Sequence, residues 1–171
     1  MSALLLPLRP RGLALPEDLR GLTLHALWVQ AITVLGKDVE NRRWRHIPRA
    51  HVGQLVALHA GATVVEHPLG VDLLQRCARR AGWVVQGDHY TRDGREVRLV
   101  PSEVPTRAIV GLVRIARARR DSPSPWAMDG SVHLELADLV VLPTPIPCPG
   151  MLGWWRVPPA VRVQIKEVLG G

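Results

Sequence analysis

Aromatic residues and cysteines are scarce in this chain of 171 residues. It has no phenylalanine and one tyrosine, so six tryptophans make up almost all of its aromatic content. Its two cysteines, Cys77 and Cys148, form no CxxC pair that would hold a metal or exchange thiols, and no His or Cys cluster has ligand spacing. We therefore expect two buried bystander thiols, no metal and no other cofactor.

Long apolar runs are also missing. The longest stretches, such as 31–36 and 139–143, are far shorter than the roughly 20 residues that cross a membrane. Residues 1–11 have an apolar tetrad followed by prolines and arginines, the reverse of a signal peptide. The sequence thus predicts a cytoplasmic protein with no membrane partner, and 47% hydrophobic content at this length indicates one globular domain.

Lysine is almost absent from a basic chain. Lys37 and Lys166 are the two lysines among 22 basic residues, set against 15 acidic ones for a net charge of +7. Arginine binds phosphates and bases in a bidentate manner and stacks on rings, so this balance favours a polyanionic partner. A GC-rich coding sequence would enrich arginine as well, and composition alone does not separate the two explanations.

The apolar patterns alternate between strands and short helices. We predict strands at 23–28, 39–45, 54–60, 108–118, 132–142 and 153–157, and helices at 29–35, 71–81 and 158–169. Four prolines in 143–149 predict an extended path that pairs with no strand. Six or so strands with three modest helices indicate an α+β fold, a small mixed β-barrel flanked by short helices.

Two regions lie outside this pattern. The prolines and scattered arginines of 1–21 predict an irregular lead-in, and we expect the domain to occupy 22–171. Residues 86–106 predict a loop or a small hairpin around Asp93-Gly94.

The densest chemical signal is the segment Gly36-Lys37-Asp38-Val39-Glu40-Asn41-Arg42-Arg43-Trp44. On a strand, Glu40 and Arg42 share one face and can pair, while Lys37 faces a glutamate three residues on. Such a pair can act as an anion or nucleobase reader or as an acid and base. An ion-paired strand edge without further function explains the same spacing.

This segment, with Trp28 before it and the strand that ends in His59-Ala60 after it, resembles the ASCH domain (activating signal cointegrator homology) of the PUA-like superfamily. Ala108-Ile-Val-Gly-Leu-Val, Ser124-Pro125-Trp126, His133-Leu134-Glu135-Leu136 and Gly150-x-x-Gly153-x-Trp155 extend the resemblance over about 22–168. The resemblance implies a small β-barrel with a cleft that binds RNA, DNA or a modified nucleoside, RNA being the first expectation.

The expected nucleic-acid contacts combine family positions with the arginines of the predicted strands. They are Trp28, Lys37, Glu40, Arg42, Arg43, Trp44, Arg45, Arg114, Arg117, Trp126 and Trp155. The indoles would stack on bases, and the arginines would follow a phosphate backbone if the fold sets them side by side. Core tryptophans and scattered arginines are the competing interpretation.

An enzyme is the alternative. One bacterial branch of the family hydrolyses acetylated cytidine with Thr, Lys and Glu; its lysine matches Lys37, but its threonine falls on Glu40. A ribonuclease would use Lys37 for charge stabilisation, with Glu40 or His59 moving protons. His59 also suits a purely structural role at a strand end. A third interpretation is a protein-interaction module that uses 143–149 and Trp154-Trp155.

Overall fold

The computed structural model describes residues 13–64 and 69–170 and contains nine strands and three α-helices over those ranges. The strands are β1 (Arg20–Leu24), β2 (Val39–Arg42), β3 (Leu55–Ala60), β4 (Val84–Gln86), β5 (His89–Arg92), β6 (Arg95–Arg98), β7 (Ala108–Arg119), β8 (Val132–Pro147) and β9 (Trp154–Arg156). The helices are α1 (Ala26–Leu35), α2 (Leu69–Arg80) and α3 (Pro159–Gly170). The mixed α+β class is therefore confirmed.

Six strands form a curled, half-barrel sheet in the order β2-β8-β7-β3-β1-β9. Only β1 and β3 run parallel among these paired strands, joined by a crossover that contains α1 and β2. β7 and β8 are the longest strands of this sheet, and register shifts along their pairing help the sheet to curl. This sheet places the end of β1 and the start of α1 beside β2.

Two apolar clusters cover the two faces of this sheet. Because side chains alternate along a strand, Leu22 and Leu24 of β1 join the cluster beneath α1 and α2, whereas Gly21 packs against Trp155 on the other face. The second cluster also holds Leu15, Leu19 and Ile165 of α3. A sheet that is buried on both faces explains why β3 reads as a continuous apolar run.

Helix α1 begins earlier than the sequence indicated. The predicted strand 23–28 was wrong in its second half, because β1 stops at Leu24 and Ala26 opens the helix. The first amides of α1 donate to the carbonyls of Thr63 and Val64, acceptors that only the tertiary fold supplies. The helix ends at Gly36, whose φ of 69° is left-handed, and the Lys37 amide returns to Ala31 O. This turn sets Lys37 directly before β2.

The region 86–106 contains most of a second, three-stranded sheet, β4-β5-β6. The predicted hairpin at Asp93-Gly94 is confirmed, with both residues at positive φ (50° and 76°), as a tight two-residue turn requires. The side chains of Trp83, just before β4, and Tyr90, in β5, are buried in the first cluster and attach this sheet to it. The Trp83 indole also donates to Leu35 O at 3.1 Å. The sheet thus belongs to the same core as α1.

The proline segment corrects one prediction. Residues 143–147 continue β8, with Ile109 opposite Ile146 and Ala108 opposite Pro147. Pairing is possible because β2 covers the far edge of β8 only over 132–135. The prolines occupy every second position, and their nitrogens, which carry no hydrogen, face the part of that edge where no strand needs a donor. The path is extended as predicted, but it does pair.

The described part of the lead-in, 13–19, has no regular structure, and β1 already begins at Arg20. It is nevertheless packed, because Leu15 and Leu19 are buried and Pro16 O accepts a bond from Arg162. The rest of the predicted lead-in, 1–12, lies outside the described residues. No helix in the described ranges combines the length and apolarity that crossing a membrane demands.

Candidate nucleotide-binding cleft

A cleft of about 620 Å³ opens where β1, α1 and β2 meet. Its volume falls in the range of about 300–1,000 Å³ that ligand pockets occupy. Its polar and charged lining consists of Thr23, His25, Lys37, Glu40, Asn41, Arg42, Arg43 and Thr63. Its apolar lining includes Trp28, Leu73, Met128 and Leu152. Six separate stretches of sequence therefore contribute to one concavity.

Lys37 lies at the base of the cleft and is 1% exposed. Its ammonium donates to Glu40 Oε2 at 2.9 Å and to the Val39 carbonyl. The Nζ atom also lies 5.5 Å from the centre of the Trp28 ring, within cation–π range. The lysine thus supports both the indole and the carboxylate, and it is held in one position.

Arg42 extends this arrangement along β2. Its Nε lies 3.2 Å from Glu40 Oε1, although the angle leaves Nε without a hydrogen bond. Its Nη2 donates to Thr23 O at 2.7 Å, and its guanidinium lies 5.6 Å from the Trp44 ring centre. Glu40 therefore sits between two cations, which agrees with the predicted pairing of alternate strand positions.

Asn41 is a cleft residue that belongs to the segment 36–44 but is not among the predicted contacts. Its side chain donates to Trp126 O at 2.9 Å and accepts the Met128 amide at 2.9 Å. These two bonds tie the 126–128 loop to β2 and hold Met128 in the cleft wall. The amide therefore shapes the cleft.

The cleft is positively charged. Lys37, Arg42 and Arg43 provide three cations against the single carboxylate of Glu40. Arg43 is exposed and forms no ion pair with any described residue. Together with the Trp28 indole, these groups offer an aromatic face, a carboxylate that accepts N–H groups and a cation for an anion. Five of the predicted contacts, Trp28, Lys37, Glu40, Arg42 and Arg43, line this cleft.

Two predicted tryptophans do not line it. Trp126 is 2% exposed and packs in the first cluster, and Trp155 is 3% exposed in the second. Each indole is thus enclosed by protein, where no base can stack on it. Trp154, on the opposite face of β9, is half-buried and contacts Trp44 at 5.7 Å between ring centres.

His59 is buried beside the cleft and fully hydrogen-bonded. Its Nε2–H donates to the Cys148 carbonyl at 2.8 Å, so Nδ1 accepts the Thr23 hydroxyl at 3.1 Å. That hydroxyl in turn accepts the Trp155 indole N–H at 3.0 Å. Burial lowers the pKa of His59, more than the Cys148 bond raises it, which favours the neutral ring this chain of bonds needs. The described contacts are those of a structural histidine.

The arginines of β7 face other surfaces. Arg114 lines a separate cavity of about 250 Å³ and pairs with Asp138 at 2.8 Å, and Arg117 lines another of about 440 Å³. Arg45 is exposed on the β2–β3 connection, and Arg120 donates to the carbonyls of Trp44 and Arg45. The fold therefore does not bring the β7 arginines and Arg42 into one concave site.

Several cleft residues carry no local signal. Thr63, Met128 and Leu152 lie in three different connections, β3–α2, β7–β8 and β8–β9, whose sequences resemble any surface loop, and only the fold brings them together. In the ranges 13–64 and 69–170, no three His, Cys, Asp or Glu residues are grouped to hold a metal ion. Neither a scan against protein-family models nor a search of curated proteins finds a match to this chain.

Proposed function

We propose that this chain is an ASCH-type, PUA-like domain that binds nucleic acid, RNA in preference to DNA, with a nucleotide in the cleft. The observation that carries the proposal is the placement of the Trp28 ring over Lys37, beside Glu40 and Arg42, in one cleft with an excess of positive charge. The preference for RNA, and the PUA-like assignment, rest on the resemblance of residues 36–44 and of the later segments.

Each group has a role in this proposal. The exposed part of the Trp28 indole stacks on a base, which is sequence-tolerant because every base has a π face. Glu40, held rigidly between Lys37 and Arg42, accepts N–H groups from the base edge. Arg43 at the rim contacts a phosphate, since its guanidinium has no carboxylate partner among the described residues.

The enzymatic alternative has less support from the geometry. The Lys37 ammonium is already engaged by Glu40 and by the Val39 carbonyl, and the cleft's Thr23 hydroxyl is bonded to His59 and Trp155. A nucleophile with a free base beside it is the arrangement that covalent hydrolysis needs. Loss of intact RNA in the presence of wild-type protein, abolished by Glu40→Gln, would reinstate the enzyme.

The test is binding of a fluorescent single-stranded RNA of about eight nucleotides, a length that small single-strand-binding domains cover. We expect affinity to fall between about 50 and 200 mM salt, and Trp28→Ala to weaken it by about 5- to 150-fold. Arg43→Ala should lower the slope of log affinity against log salt by about 0.7.

Arg95→Ala is the matched control, because Arg95 is exposed on the small sheet and forms no part of the cleft. It should bind like wild type. Affinity that ignores salt, or no binding below tens of micromolar, would refute the proposal, and equal affinity for DNA of the same sequence would remove the preference for RNA.

A further inference from the structure

Three planar side chains contact one another next to the cleft, two of them stacked and the third tilted. The His51 imidazole lies 4.1 Å from Trp154 with 25° between the ring planes, and Trp44 lies 5.7 Å from Trp154 at 50°. All three residues are half-buried. We call Trp44, His51 and Trp154 the stacking platform. The His51 ring shows that the Trp154 face accepts a flat heterocycle.

The platform is held in place before any ligand arrives. His51 belongs to the short 3-10 turn Arg49–His51, and its Nδ1 lies 3.1 Å from Gln54 Oε1. Trp154 is fixed by pairing of β9 with β1, and the Trp44 carbonyl accepts a bond from Arg120 at 3.0 Å. Preorganised groups lose less conformational entropy on binding.

The connection that carries Trp44 and His51 of the platform is unusually basic. Residues 43–54 contain Arg43, Arg45 and Arg49 with His46 and His51, and no Asp or Glu. The three arginines are exposed and form no ion pair with any residue in the described ranges. Elsewhere Arg98, Arg114 and Arg119 each pair with a carboxylate at 2.7–2.8 Å. Unneutralised guanidinium groups beside a ring stack suit a phosphate backbone that carries exposed bases.

The platform is continuous with the cleft. Arg42 lines the cleft and also lies over Trp44, and Arg43 lines the cleft directly before that tryptophan. Leu152, another cleft residue, is two positions from Trp154. A strand leaving the cleft past Arg42 therefore meets the platform first.

We propose that the stacking platform binds a second nucleotide of a single strand that also places a nucleotide in the cleft, with its base on the face of His51 turned away from Trp154 and its phosphates at Arg45 and Arg49. This inference rests on the proposed function and makes the ligand single-stranded, since a duplex keeps its base faces covered. It also makes the binding site longer than one nucleotide.

The experiment compares a nucleoside monophosphate with the labelled single-stranded RNA. We expect His51→Ala to weaken binding of the RNA by about 5- to 150-fold and to leave the affinity for the monophosphate unchanged. His51→Phe should restore RNA binding, because it keeps a stacking ring. Replacing both Arg45 and Arg49 by Ala should lower the salt slope by about 1.4, or 0.7 for each phosphate contact.

His46→Ala is the control for the loop, because His46 is exposed in the same connection and has no ring contact with any described residue. Wild-type RNA affinity in His51→Ala, with a loss in Trp28→Ala, would overturn the platform and leave the cleft intact. The reverse result, no monophosphate binding and no effect of Trp28→Ala but a loss in His51→Ala, would refute the proposed function of the cleft and, with it, the two-nucleotide site. A duplex that binds as tightly as the single strand would also overturn the inference.

Discussion

Lys37 and Glu40 form an ion pair in the protein interior, with Nζ 2.9 Å from Oε2 and the two side chains 1% and 10% exposed. Arg42 completes the group from the other side of the carboxylate. Removing two charges from water costs several kcal/mol each, so the pair persists because its hydrogen bonds and mutual attraction offset that cost. The same three side chains form the floor of the cleft.

We expect Lys37→Met to destabilise the protein by about 3–5 kcal/mol, because it leaves a buried carboxylate with one poorly aligned partner. Glu40→Gln should also destabilise, and the double variant should cost clearly less than the sum of the two. Urea unfolding of all four proteins in a double-mutant cycle measures this coupling.

The control cycle uses Arg119 and Asp121, whose ion pair is shorter at 2.7 Å but exposed to solvent. Screening by water should leave that pair with little or no measurable coupling. Additive effects at Lys37 and Glu40 would contradict the interior ion pair as a coupled unit.

The lowered pKa of His59 predicts that the free energy of unfolding depends on pH. Burial lowers its pKa below the usual 6.5, so the unfolded chain takes up the proton first as the pH falls. The contribution of His59 is therefore complete above about pH 6.5 and is lost below it, with a slope of at most about 1.4 kcal/mol per pH unit.

Denaturant unfolding between about pH 5 and 7.5 measures this slope. His59→Gln should flatten it, because the amide can donate to the Cys148 carbonyl without titrating. His46→Gln, at an exposed site, should keep the wild-type profile. An unchanged slope in His59→Gln would show that other groups carry the effect.

Gly150 is exposed, yet a methyl group there would not fit. A Cβ atom would lie 2.2 Å from His59 Cε1 and 2.8 Å from the Thr23 hydroxyl. We expect Gly150→Ala to destabilise by about 1–3 kcal/mol, as overpacking does, by displacing the His59 ring. Gly170→Ala, which meets no atom within 4 Å, should be neutral or slightly stabilising. Equal midpoints of thermal unfolding for the two variants would disprove the steric argument.

The burial of both cysteine thiols predicts slow alkylation. Cys77 and Cys148 lie in different apolar clusters, and burial raises the pKa of both, which lowers the thiolate fraction. Native protein should react with iodoacetamide far more slowly than a free thiol, and both cysteines should react rapidly in denaturant. Rapid labelling of either thiol in the native state would contradict its buried position.

Most regular elements followed from local pattern. Amphipathic spacing located α2, the apolar run located β3, and Asp93-Gly94 located the hairpin, because each signal depends on neighbours in sequence. The errors arose where distant groups decided the outcome. The carbonyls of 63–64 begin α1, and the free edge of β8 lets a proline-rich segment pair.

The candidate site divides in the same way. Lys37, Glu40 and Arg42 occur within six residues, so their contact follows from a helix end and a short strand. The local sequence does not predict which indoles remain accessible, because adjacent residues of β9 lie on opposite faces of the sheet and the fold decides which face is covered. Trp155 is consequently enclosed and Trp154 joins His51, a contact across a large sequence separation.

Sequence alone determined the charge, the basic and acid-free stretch 43–54, the spacing of the ion-paired residues and most of the helices and strands. Only the tertiary structure decided that Arg42 joins the cleft while Arg114 and Arg117 face other surfaces, and that His59 is enclosed by Cys148, Thr23 and Trp155. The reason is physical. Periodicity assigns each side chain to a face of its own element, but the curl and strand order of the sheet determine which faces meet.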